Sequence, residues 1–315
     1  MKYEISVVIP LYNKEYSIRK CLQSVVEQST LPFEIVIIDD GSTDGSGTIV
    51  KEFIDRYKEL NIHFCHQKNS GVSSARNLGM HKAEGDYVAL LDADDEWDKD
   101  FIFELSKLMN KCPEASMYSC FHRVKDDKGN LFTPRNSLQE GFSGYIDNYH
   151  QLASSGTELV NSSKVILKKE SVLSVGGFPV EAVITEDLFL WSLMAIKFKY
   201  AFLSKVMVQI NQYSDDSRAA RTNKALYILE FYKLNPDEFG TLTKHQKGYL
   251  FDVHLKHVLG SLASGNYTEV LQRLKVGSIL FKLRNIPVWF LMAIPYPFFT
   301  LIKNLRRKFF SCLYS

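Results

Sequence analysis

The sequence predicts an α/β fold: a mostly parallel central sheet flanked by helices, followed by a C-terminal helical extension. Three observations lead there. Short apolar, β-branched runs alternate with helix-period segments from about residue 5 to residue 91; such alternation builds βαβ units whose crossovers cover both faces of a parallel sheet. Polar signatures at Tyr12-Asn13, Asp39-Asp40 and Asp92-Ala93-Asp94-Asp95 each follow the end of one of those runs, and open α/β sheets bind ligands beyond the carboxyl ends of their strands. From about residue 224 to 285 the pattern is helical, with no strand alternation.

Taken in order, residues 5–9 form the first strand, ended by Pro10. Ile18, Cys21, Leu22, Val25 and Val26 sit at helix spacing within a helix over about 15–28. Strand 34–38 ends in Asp39-Asp40-Gly41-Ser42, and a helix over about 44–60 follows, with apolar Ile49, Val50, Phe53, Ile54 and Tyr57. Residues 61–65 are a third strand, 72–83 a helix and 87–91 a fourth strand. A helix at 99–111, strands near 115–120 and 165–167, and a short helix at 169–175 come next. Thr185 caps an apolar helix that Glu186 and Asp187 open and that runs through 188–196. The predicted domains are 1–215, with halves 1–96 and 97–215, and an extension over 216–315.

At 315 residues, with 45% apolar and 23% charged residues, the chain has the composition of an ordinary globular protein. Its five widely spaced cysteines include no CxxC pair, which argues for reduced thiols in a cytoplasmic protein and against a zinc or disulfide framework. No secretory signal fits the N-terminus. A net charge of +2 hides an asymmetry: from Val270 onward there is no Asp or Glu, while Arg273, Lys275, Lys282, Arg284, Lys303, Arg306, Arg307 and Lys308 are basic.

The Asp92–Asp95 segment places three carboxylates within four positions at a strand end. Like charges repel there, and a divalent cation with oxygen ligands is the usual remedy. An Asp-rich solvated turn is the plain alternative for the cluster alone.

Five motifs in order complete the pattern: Val7-Val8-Ile9-Pro10-Leu11-Tyr12-Asn13, Ile37-Ile38-Asp39-Asp40-Gly41-Ser42-Thr43-Asp44, Ser73-Ser74-Ala75-Arg76-Asn77, Asp92-Ala93-Asp94-Asp95 and Glu186-Asp187. Over roughly residues 3–215 the chain resembles the family 2 glycosyltransferases of GT-A fold. The resemblance implies a nucleotide-sugar donor, a Mn²⁺ or Mg²⁺ cofactor, inversion at the anomeric carbon, and a glycan or lipid-linked acceptor. It implies Asp94 as metal ligand, Asp92 for ribose or metal, and Asp95 sharing either task. Asp40 would accept from the uracil ring nitrogen of a UDP-sugar, with an Asx turn as its alternative. Tyr12 would pack on the base, or else be partial core, while Pro10 and Asn13 shape that loop. Arg76 would reach the nucleotide site, where a guanidinium suits a diphosphate or a carboxylate cluster; a surface salt bridge is its alternative. Asp187 would be the general base and Glu186 its positioner, with helix capping as the alternative for both.

One departure stands out. Many relatives carry a histidine after the last strand of this domain that completes the metal shell, but residues 208–217 contain none; Asn211, Asp215 or Asp216 would take its place, or water would fill the position. The apolar segment 286–302, interrupted by Pro287, Pro295 and Pro297 and flanked by basic residues, reads as a membrane-surface anchor on the cytoplasmic face. A hairpin packed on the domain, or a homodimer contact, is the alternative. No nucleic-acid partner is expected. The rival functions are a scaffold that binds a nucleotide sugar without turnover, and a nucleotidyltransferase, which would need a Gly-rich phosphate loop that Pro10–Lys14 does not provide.

Overall fold

Strand β1 (Ile5–Leu11) is buried along its whole length, and its alternate residues serve two cores. Ile5, Val7, Ile9 and Leu11 join one cluster, with Leu22, Val50 and Leu105 from the helices on that face. Val8 joins the other, with Ala75 and Met80. A strand sends successive side chains to opposite faces, so a β1 this apolar requires cover on both sides. The computed structural model describes residues 3–212, 226–263 and 266–281, and the chain divides into two compact units, 1–216 and 217–315.

In the first unit, α1 (Ile18–Val26), β2 (Glu34–Asp39), α2 (Ser46–Arg56), β3 (Ile62–His66), α3 (Val72–Lys82) and β4 (Tyr87–Leu90) follow β1. They build the parallel portion β3-β2-β1-β4. Next come β5 (Glu96–Trp97), α4 (Phe101–Lys111), β6 (Ala115–Lys125), β7 (Leu131–Phe132), β8 (Ser143–Tyr145) and α5 (Tyr149–Ser154). The unit closes with β9 (Val165–Lys168), α6 (Lys169–Ser174), α7 (Glu186–Lys197) and β10 (Lys199–Asn211). The sheet runs β3-β2-β1-β4-β9-β6-β10-β5, with β7 on β6 and β8 on β10. β9 lies antiparallel between β4 and β6, and β10 is parallel to β6.

Pro10 does not end β1, contrary to expectation; the strand continues to Leu11, paired with Asp39 of β2. The β1–β4 pairing stops at Val8–Leu90. Even-numbered β1 residues face β4, as the bond from Leu91 N to Val8 O shows. The missing N–H of Pro10 therefore falls beyond the paired stretch and costs no ladder bond. β10, the longest strand among the described residues, is the last strand of the domain, whose bounds the sequence does not mark. Register shifts at 199/200, 203/206 and 206/208 interrupt the alternation by which a strand is recognised.

Gly79 explains how closely α3 lies on β1: a Cβ there would fall 2.3 Å from Val8 Cγ1. The second unit comprises α8 (Tyr227–Leu234), α9 (Pro236–Thr241), α10 (Lys244–Ala263) and α11 (Tyr267–Phe281), with Val258, Leu262 and Val270 forming a small core. Pro236 stands at the first turn of α9, where its missing N–H has no intrahelical partner to lose. Among the described residues no helix is long and apolar enough to cross a membrane. The expected anchor at 286–302 lies outside the described residues.

Candidate active site

The loops that leave β1, β2, β3 and β4 meet along the carboxyl edge of the parallel strands. Asn13 has a left-handed backbone (φ 50°), which asparagine tolerates better than most residues. Its N–H donates to Ser42 Oγ at 3.0 Å, and its Oδ1 accepts from Thr43 N at 2.8 Å, clamping the β1 loop to the β2 loop. Tyr12, beside it, is 47% exposed, so the partial-core alternative fails.

Asp40 is only 4% exposed. Its Oδ1 accepts from Gln67 Nε2 at 2.7 Å and Ser70 N at 2.8 Å, and its Oδ2 accepts from Gly71 N at 2.9 Å. The carboxylate thus organises the loop after β3, while the Asx turn falls to Asp39, whose Oδ1 accepts from Ser42 N at 2.9 Å. A carboxylate has about four acceptor positions, so Asp40 retains one on Oδ2.

Arg76 is not a surface arginine. On α3 its side chain is 6% exposed, and its Nη2 donates to Asp92 Oδ1 at 2.7 Å, with the Asp92 side chain 33% exposed. Nη1 lies 3.7 Å from Glu186 Oε1, and the guanidinium stacks 5.0 Å from the Phe178 ring centroid. Nε and Nη1 are buried without a hydrogen-bond partner. Burial opposes its charge, but Asp92, Glu186 and Asp187 outweigh burial and raise its pKa. Four of the expected residues (Arg76, Asp92, Glu186 and Asp187) therefore share one electrostatic environment.

Thr185 precedes α7 with a left-handed backbone (φ 64°) and makes no side-chain capping bond. Asp187 Oδ1 accepts from Leu188 N at 2.7 Å. Burial raises the Asp187 pKa above 3.8; Arg76 opposes the shift, while Asp92 and Glu158 add to it. A carboxylate destabilised in this way is a better proton acceptor than a solvated one.

In the β4 loop the acidic residues have separate surroundings. Asp95 is buried, accepting from Ser163 Oγ at 2.5 Å and from Asn211 N at 2.9 Å. Its pKa is well above the ordinary value, through burial first and then Asp94 and Asp92. Ser163 Oγ also accepts from Asp92 N at 3.1 Å, which links the loop to the start of β9. Asn211 gives its Nδ2 to Asp94 O and Glu96 Oε1, so its carboxamide braces the loop's main chain. Asp215 and Asp216 lie outside the described residues.

Asp94 Oδ2 is 2.8 Å from Lys14 Nζ. Lys14, Ser163 and the Asn77–Phe178 contact had no signal in the sequence beyond residue type, because their partners are distant in the chain. Lys68 is exposed. Among the described residues no group of three or more His, Cys, Asp or Glu side chains could hold a metal ion. Asp92 and Asp94 nevertheless suit a hard cation that takes its remaining ligands from water and a diphosphate, and Asp94 already holds one positive group.

The model of the family described as Glycosyl transferase family 2 matches residues 6–169. Glycosyltransferase GlyA of Streptococcus pneumoniae serotype 4 is 42% identical over 104 residues, covering 33% of this chain and 15% of GlyA. The uncharacterized glycosyltransferase YibD of Escherichia coli is 46% identical over 93 residues, 30% of this chain and 26% of YibD. The matches thus span about a quarter or less of these relatives. Among solved structures, S. aureus TarS 1–349 in complex with UDP-GlcNAc aligns with a TM-score of 0.67 at 19% identity, covering 88% of this chain and 81% of that one. The mannosyltransferase PcManGT from Pyrobaculum calidifontis, in complex with GDP-Man and Mn²⁺, aligns with a TM-score of 0.59 at 18% identity, covering 96% and 83%. These likenesses establish the GT-A fold.

Proposed function

The chain belongs to glycosyl transferase family 2, and from that premise we propose that it transfers a sugar, with inversion, from a nucleotide-diphosphate donor to an acceptor hydroxyl. We take the donor to be a UDP-sugar and the acceptor a glycan or lipid-linked glycan in cell-surface polysaccharide assembly. The observation that carries this reading is the buried Arg76 guanidinium, which joins Asp92 of the β4 loop to Glu186 at the start of α7.

In the proposed reaction, Asp187 accepts the proton of the acceptor hydroxyl as that oxygen attacks the anomeric carbon. Attack comes from the face opposite the diphosphate, whose bond to the carbon breaks, so that a nucleoside diphosphate leaves. Glu186 and Arg76 hold the start of α7 and the β4 loop in register for that step. Tyr12, exposed beside the clamped loop of Asn13, stacks on the base, and the remaining acceptor position of Asp40 receives the ring N–H. Asp92 and Asp94 would hold a Mn²⁺ or Mg²⁺ ion, which when bound neutralises charge on the leaving diphosphate. Asp95, with both oxygens engaged by protein donors, anchors the loop. Pro10, inside β1, sets where the Tyr12 loop begins.

Two neighbours support the donor class and the metal through their own bound ligands, UDP-GlcNAc in one and GDP-Man with Mn²⁺ in the other. The test is sugar transfer or donor hydrolysis by wild type and Asp187→Asn. Loss of a general base lowers turnover by about 10²–10⁴-fold while UDP binding persists. If the wild type binds UDP but neither transfers nor hydrolyses any donor offered, the scaffold reading replaces this one. We further propose that the basic, aromatic tail brings the chain to the cytoplasmic membrane face. A version truncated near Arg284 should then move to the soluble fraction, and equal partitioning of both forms would remove the idea.

A further inference from the structure

Lys14 follows the clamped Asn13 and brings its ammonium to 2.8 Å from Asp94 Oδ2, with the two side chains 21% and 23% exposed. The pairing is built into the loop. Lys14 N donates to Ser46 Oγ at 2.8 Å, fixing the main chain from which the side chain departs. Ser17 Oγ donates to Ala93 O at 3.0 Å, fixing the β1 loop against the segment that carries Asp94. The phenolic oxygen of Tyr16 accepts from Lys14 Nζ at 3.1 Å. The ammonium therefore stands where a cation bound by Asp94 would stand, on a stem of four methylenes that can swing to another oxygen partner.

We infer that Lys14 is an internal counter-ion that holds the Asp94 position against a divalent cation until a donor diphosphate arrives. This rests on the reading of Asp94 as a metal ligand. Two cations cannot share one carboxylate oxygen at contact distance without strong repulsion, so an incoming metal displaces the ammonium. Without a diphosphate, the displaced lysine trades a close carboxylate for water. With one, phosphate oxygens take the ammonium, and the metal gains ligands from the same group. Metal and diphosphate binding are then positively coupled through Lys14, and the coupling is reciprocal.

Mn²⁺ binding, followed by the electron paramagnetic resonance signal of the free ion, tests this without any turnover. The proteins are wild type, Lys14→Met, Lys14→Gln, Lys14→Arg and Asp94→Asn, each with and without saturating UDP, with melting temperature as the check on folding. Without UDP, Lys14→Met and Lys14→Gln should bind Mn²⁺ about tenfold more tightly than wild type, within the usual range of coupling energies. Lys14→Arg should behave like wild type, and UDP should close most of the gap. Equal or weaker Mn²⁺ affinity in both neutral variants, with binding lost in Asp94→Asn, overturns the inference and leaves the glycosyltransferase reading intact. Absence of Mn²⁺ binding in every protein, even with UDP, overturns the metal reading and this inference with it.

Discussion

Asn77 holds the main chain of Phe178 from both sides, its Nδ2 donating to the carbonyl at 2.7 Å and its Oδ1 accepting from the N–H at 2.9 Å. The preceding residue on α3, Arg76, reaches Asp92 and stacks on the Phe178 ring. Two consecutive side chains of one helix thus tie the β4 loop to the segment that leads into α7. Phe178 in turn packs edge-on against Trp191 of α7, with ring centroids 5.5 Å apart. The carboxylates of the β4 loop and those of α7 are held in one place by α3.

Asn77→Ala should therefore cost more than a typical surface change. It leaves a main-chain N–H and C=O of the buried Phe178 without these partners, at about 2–4 kcal/mol by the usual penalty for unsatisfied groups. Urea denaturation measures the loss. Turnover should fall as well, because the entry to α7 is no longer fixed.

Arg76→Met removes the buried cation from between Asp92 and Glu186. Breaking one side of a buried ion pair costs several kcal/mol; partial exposure of Asp92 reduces the estimate here to about 2–4 kcal/mol. Arg76→Lys should recover less than half of this, since a lysine cannot offer two directed donors or stack on Phe178. Denaturation midpoints of the three proteins decide the matter, and equal midpoints would contradict the ion-pair account.

The raised pKa of Asp187 gives the proposed base a pH signature. A base acts only when ionised, so kcat/KM should rise with pH through a pKa above 3.8. Glu158 adds to the raised value and Arg76 opposes it. Glu158→Gln should move the acid limb to lower pH, and Arg76→Met should move it to higher pH. A limb that stays in place in both variants would remove Asp187 from that role.

The parallel strands were legible because β-branched runs such as Ile35-Val36-Ile37-Ile38 have no other use, and the acidic loops announced themselves by following those runs. The bounds of β10 were not legible, since its bulges destroy the period of two. Within the site, residue type suggested Asp92 and Arg76 separately, but nothing local indicated that they would pair. Lys14 looked like any loop lysine until the fold brought Asp94 beside it. Ser163 likewise has no motif, and its role is purely one of position, since its hydroxyl lies between Asp95 and the N–H of Asp92.

Gly79 sits one turn beyond Arg76, where α3 presses on Val8. Gly79→Ala favours the helix by propensity, by about 1 kcal/mol, but its methyl group meets Val8 in a closely packed core. Overpacking of this kind costs about 1–3 kcal/mol, so the net effect should be destabilising or neutral, never stabilising by the full propensity gain. A rise in melting temperature of several degrees would show that α3 moves outward freely.

His150 supplies the last prediction. Buried on α5, its Nε2 lies 2.8 Å from Ser192 Oγ on α7, and burial pushes its pKa from 6.5 down to about 4. At pH 5 the unfolded chain therefore binds a proton at this site that the folded chain refuses, and stability falls as pH drops from about 6.5 towards 4. The loss at pH 5 is about 2 kcal/mol from this residue, and His150→Gln should remove that share of the slope in melting temperature between pH 7.5 and 5. His122, pushed down to about 4 by burial and by Lys164, contributes in the same direction and should keep the variant from becoming wholly pH-independent. Acid inactivation then has two separable sources. Protonation of Asp187 lowers kcat/KM at temperatures where the fold is intact, whereas the His150 share shows only in the melting temperature, so activity measured well below the transition and denaturation followed on the same samples separate the two.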